Sequence, residues 1–140
     1  MVPTDAVFNA WTSGDVKQML RALGQHTNLI DRHFLLLRLA EETYRLRSDR
    51  AMAAECARVS EMHLAEFPQI APALKADFDG VLPRVSTFQN YAMLLTEQGD
   101  FERAVWVCQL ALHYGLDDGT KAGFIGRVDR IRKKQAQGHS

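Results

Sequence analysis

Two cysteines each have a histidine about one or two helical turns away: Cys56 with His63, and Cys108 with His113. A zinc centre draws four ligands from clustered Cys and His at spacings such as CxxC or HExxH. Neither pair belongs to such a set. Both thiols therefore read as small buried hydrophobes, and the sequence calls for no metal and no cofactor. His33 has Glu41 and Glu42 about two turns further on, but no Ser, Cys or Lys stands beside them in a triad-like order. The run Gly119-Thr120-Lys121-Ala122-Gly123-Phe124-Ile125-Gly126-Arg127 invites comparison with a phosphate-binding loop. That loop requires Gly-Lys followed by Ser or Thr after a strand, whereas this run has Gly-Thr-Lys after a helical pattern. Gly119, Gly123 and Gly126 instead read as a surface for close contact with a neighbouring helix. No constellation for catalysis emerges, and the chain reads as a non-enzyme.

Charge is concentrated near the C-terminus. Lys121, Arg127, Arg130, Arg132, Lys133 and Lys134 stand against one acid, Asp129, while Phe124, Ile125, Val128 and Ile131 form an apolar stripe. Such a basic amphipathic helix can contact phosphates or acidic lipids, and Lys121, Arg127 and Arg130 are its candidate anion-binding residues. The plainer reading is a terminal cap whose cations complement the helix dipole. Over the whole chain 17 basic and 17 acidic residues cancel, and no aromatic residues interleave with the basic run, which argues against nucleic acid as the main partner.

The elements that must carry these residues are helices. Apolar residues recur at three- and four-residue spacing, and alternating strand-like runs are missing, so the fold class is all-α. The 140 residues, 46% hydrophobic and 24% charged, fit one compact domain. No stretch approaches the ~20 apolar residues of a membrane span, and MVPTDAVFNAW lacks the pattern of a secretory signal. Two cysteines make no disulfide framework, so a reducing, cytoplasmic setting is expected. A short helix is predicted from Ser13 or Gly14 to Leu23, burying Val16, Leu20 and Leu23. Asn28 caps the next, which runs to Arg47 with Leu29, Phe34, Leu36, Leu37, Leu39, Ala40, Thr43 and Tyr44 on its apolar face. A third carries Ala53, Ala57, Val59, Leu64 and Phe67 until Pro68 turns the chain. Residues 68–83 read as an inserted segment with one short helix around 71–78. Helices follow over about 84–98 and 101–114, joined at Gly99-Asp100. The last, capped by Asp118 or Thr120, reaches about Lys134, and residues 135–140 form a flexible tail.

Along the predicted helices at about 84–98 and 101–114, Phe88-x-x-Tyr91-Ala92-x-x-Leu95, Gly99-Asp100-Phe101 and Ala104-x-x-x-Cys108-x-x-Ala111-Leu112 resemble one complete tetratricopeptide repeat (TPR). Small residues at 92, 104 and 111 let two helices approach closely while larger neighbours fill the gaps. A second, degenerate match covers Leu36-x-x-Leu39-Ala40 and Ala53-x-x-x-Ala57. The offset from Ala40 to Ala92 exceeds the ~34-residue period of a tandem array by about half a repeat, which the segment 68–83 accounts for. The resemblance covers about residues 33–134 as two TPR-like helical hairpins, with a short N-terminal helix and a C-terminal capping helix.

The resemblance implies a protein–protein interaction module that binds a peptide or partner protein on the face formed by the first helix of each hairpin. On it, Arg38 is a carboxylate ligand, Asn90 a clamp for peptide backbone and Met93 an adaptable apolar contact. Ser86, Gln89 and Glu97 flank them. Trp106, between Ala104 and Cys108, marks either an outward protein contact or burial against the rest of the chain. Pairing through the second helix of a hairpin, including with another copy, is the other mode of interaction. The alternative function is an accessory nucleic-acid or acidic-surface binder using the last helix.

Overall fold

The computed structural model describes residues 3–138 and contains seven helices and no strand among them. It divides into two compact units, Met1–Val81 and Leu82–Ser140. The first holds α1 (Pro3–Ser13), α2 (Val16–Ala22), α3 (Leu29–Arg45) and α4 (Arg50–Asp77); the second holds α5 (Ser86–Glu97), α6 (Phe101–His113) and α7 (Gly123–Gln137). None of the helices is long and apolar enough to cross a membrane.

In the first unit, polar side chains start three helices by accepting otherwise unpaired backbone N–H groups: Asp15 at α2, Asn28 at α3 and Asp49 at α4. The sequence reading missed α1, where Val7 and Ala10 are buried and the Trp11 ring stacks on Phe34 with centroids 5.0 Å apart. The short helix at 16–22 buries Met19 and Ala22 instead of the expected Val16, Leu20 and Leu23. Helix α1 covers a different face of it from the one the isolated pattern selects. Helices α3 and α4 form the main contact of the unit. Leu35, Leu36, Leu39 and Thr43 of α3 and Cys56, Val59, Ser60 and His63 of α4 are buried in this unit, whereas Ala53 and Ala57 are half-buried.

Pro68 does not end α4, and residues 71–78 are not a separate short helix. The helix passes through Pro68 and Pro72 because both lie on its exposed side, while Phe67, Ile70, Ala71 and Leu74 continue the buried stripe. Burying three large apolar side chains, at roughly 1.5–3 kcal/mol each, offsets two interior prolines at about 3 kcal/mol each.

In the second unit, α5 and α6 are joined by a tight turn in which Gly99 takes a φ of 82° and Asp100 accepts from the Arg103 N–H. Phe88, Ala92, Ala104, Val107, Cys108 and Ala111 are all fully enclosed. Helix α7 starts later than expected, at Gly123, with Ala122 rather than Asp118 or Thr120 at the N-cap position, although the Thr120 hydroxyl accepts from the Gly123 N–H at 3.1 Å; it also runs past Lys134 to Gln137. Of the stripe read from sequence, Phe124 and Ile131 are buried and Val128 half-buried, but Ile125 is 71% exposed. The glycines do not admit a neighbouring helix. Gly119, at φ 81°, lies against the Arg84 guanidinium, Gly123 has open space around it, and Gly126 meets Ala122, which precedes its helix, and the Arg130 side chain. Positive φ explains the first two. Of the predicted tail, residues 139–140 lie outside the described residues.

Candidate functional site

The second unit carries a groove of about 180 Å³ between α5 and α7. Helix α5 turns Phe88, Tyr91 and Leu95 into the core, which leaves Met93 and Glu97 on the outside; α7 turns Phe124 and Ile131 inward, which brings Arg127, Arg130 and Lys134 to the rim. Ala92, Met93 and Ile131 give the groove an apolar floor, and Thr96 and Glu97 complete the α5 side.

The cations of α7 are not equivalent. Arg127 is held by Asp118, with Nη2 and Nε 2.9 and 3.0 Å from Oδ2. The other Asp118 oxygen accepts from the Thr120 N–H at 2.9 Å and its hydroxyl at 2.6 Å. Burial would raise the Asp118 pKa, but the hydrogen bonds from Thr120 and Arg127 and the charge of Arg127 hold it below the usual carboxylate range. Arg132 pairs with Glu102 at 2.6 Å and Lys133 with Asp129 at 3.5 Å. Arg130 and Lys134 have no acidic partner among the described residues, and both face the groove. They stand one helical turn apart, about 6 Å along the axis.

No family model, curated protein or solved structure matches this chain.

Of the residues singled out from sequence, Met93, Arg127 and Arg130 line this groove together. Arg127 is half-buried and neutralised, whereas Lys121 is exposed ahead of α7 and does not line it. Asn90 is half-buried on α5, outside the lining. Trp106 is 40% exposed on α6, with the Arg103 guanidinium 3.9 Å above its ring. Arg38 belongs to the first unit, where it lies 3.3 Å from Glu41 and borders a separate hollow of about 190 Å³ with Trp11, Met19 and Glu42. Ile131 and Lys134 were missed as groove residues. Lys134 follows Arg130 by four positions, a spacing that places both on one helix face.

Two further clusters bear on chemistry. In the first unit His33 Nδ1 and His63 Nε2 are 3.0 Å apart and buried between α3 and α4, against Phe67. Burial lowers the His33 pKa to about 4, and burial, followed by the charges of His33 and Arg32, drives His63 well below the ordinary imidazole value. Both rings are neutral at physiological pH. No group of three or more His, Cys, Asp or Glu suited to a metal occurs among the described residues. The Cys108 thiol is pushed up to about 11, chiefly by burial, and burial also raises Cys56, so neither thiol is primed as a nucleophile.

Proposed function

We propose that this chain is a non-catalytic, tetratricopeptide-like interaction module that holds a segment of a partner protein in the groove between α5 and α7. The observation that carries the reading is the selective pairing on α7. Arg127, Arg132 and Lys133 each have a carboxylate within the unit, and the two cations left over, Arg130 and Lys134, border the apolar floor at Met93 and Ile131. An apolar floor flanked by a few directed charges supplies both contact area and orientation. The close passage of α5 against α6, with Ala92, Ala104 and Ala111 enclosed, supports the tetratricopeptide comparison. The enclosed Arg127–Asp118 pair withdraws one of the six cations of the basic run from the alternative of a nucleic-acid or acidic-surface binder, whereas Arg132 and Lys133 pair at the exposed surface, where an ion pair contributes little.

Site-specific photo-crosslinking tests the reading. With a photoreactive residue placed in turn at Met93, Trp106 and Arg38 and irradiated in cell extract, a discrete protein adduct forms from position 93. Arg130→Glu in the same chain abolishes it. Adducts confined to position 106 or 38 overturn the groove as the site.

A further inference from the structure

The end of α4 breaks three local rules within five residues. Asp77 places a carboxylate at the helix C-terminus, where the dipole favours a cation. Asp79 has a φ of 55°, the one left-handed non-glycine residue among those described, although Gly80 stands next to it. Phe78 and Val81 are 43% and 69% exposed. The tip is nevertheless held in shape: the Phe78 N–H donates to the Leu74 carbonyl at 3.1 Å, that of Gly80 to Lys75 at 2.7 Å, and that of Val81 to Phe78 at 3.0 Å. Neither Asp77 nor Asp79 has an ion-pair or side-chain hydrogen-bond partner among the described residues. A hydrogen-bonded turn that displays an aromatic ring between two unpartnered carboxylates has the character of a recognition element.

Its complement lies elsewhere in the same sequence. The α5–α7 groove offers Met93 and Ile131 to an apolar side chain and the unpaired Arg130 and Lys134 to two carboxylates. We infer that the 77–81 tip of one copy docks into the α5–α7 groove of a second copy, with Phe78 on the apolar floor and Asp77 and Asp79 facing Arg130 and Lys134. This rests on the reading of the groove as a binding site and names its occupant. Such a contact joins unlike surfaces of two copies, and a five-residue tip makes it small and weak, so it is sought at concentrations on the order of 10⁻⁴ M.

Sedimentation velocity of the full chain across that concentration range, at low salt, tests it. The parent self-associates with rising concentration. Arg130→Glu with Lys134→Glu weakens association by at least about ten-fold, since opposite-charge pairs become like-charge ones. So does Asp77→Lys with Asp79→Lys, and combining all four substitutions restores it. Because lysine at a positive φ strains the tip, Asp77→Asn with Asp79→Gly provides a second variant that removes both charges and relieves the backbone; it too loses association. A parent that stays monomeric throughout, or a neutral-tip variant that associates as the parent does, overturns the inference. A monomeric parent whose position 93 still crosslinks a foreign protein does so while leaving the groove reading intact.

Discussion

Arg127 directs two nitrogens, Nε and Nη2, onto the single Oδ2 atom of Asp118, whose side chain is fully enclosed and nine positions earlier. The pair ties the loop before α7 to the second turn of that helix and fixes one wall of the groove. Removing one member of an enclosed pair strands the other, at roughly 3–5 kcal/mol. Arg127→Ala, which strands the enclosed Asp118 carboxylate, is therefore expected to lower stability to denaturant by an amount of that order, and Asp118→Ala, which leaves the Arg127 guanidinium at the groove rim, by less. If either variant unfolds at the parent's denaturant midpoint, the pair is not what anchors α7.

The α5–α6 crossing depends on small side chains. Ala92 and Ala104 are both fully buried. Ala92→Leu or Ala104→Leu inserts volume into a filled space and is expected to cost roughly 1–3 kcal/mol in chemical denaturation. Two variants as stable as the parent would show that the helices have room to spare there.

Helix α7 offers an internal comparison, since Phe124 is buried and its neighbour Ile125 is 71% exposed. Phe124→Ala is expected to cost about 3–5 kcal/mol and Ile125→Ala less than about 0.5 kcal/mol. Equal losses in thermal or denaturant unfolding would contradict the placement of α7.

The two histidines make the first unit sensitive to acid. Their folded pKa values lie below the unfolded value of about 6.5, so the unfolded chain binds more protons once the pH falls under that value. Stability is therefore full above pH 6.5 and falls as the pH drops toward 4, with His33 alone accounting for about 3 kcal/mol by pH 4. His63 acts in the same direction. Denaturant titrations at pH 7.5 and 5 measure the loss, which is smaller in His33→Gln. Equal stability of the parent at the two pH values would contradict the enclosure of the pair.

Much of this architecture was legible in the residues. Asn28 as a cap, the Gly99-Asp100 turn and the buried small residues of α5 and α6 are local signals, set by hydrogen-bonding capacity, backbone freedom and spacing. What escaped depends on tertiary surroundings. Pro68 reads as a stop until Phe67, Ile70 and Leu74 are seen to gain enough by burial to carry the helix through. The face that α2 buries is chosen by packing against α1, and the exposure of Ile125 by where α7 meets α6. The candidate site divides in the same way: Met93 and Arg130 were identifiable by type and helical position, but that Arg127 is spent on Asp118 while Lys134 is left over follows from contacts across the fold.

The groove is tested most directly by calorimetric titration of the partner crosslinked at position 93 against the parent and three variants. Met93→Ala and the pair Arg130→Ala with Lys134→Ala each weaken binding by about ten-fold or more, roughly 1.4 kcal/mol, while Trp106→Ala binds as the parent does. Affinity lost only in Trp106→Ala would place the contact on the outer face of α6 and contradict the account.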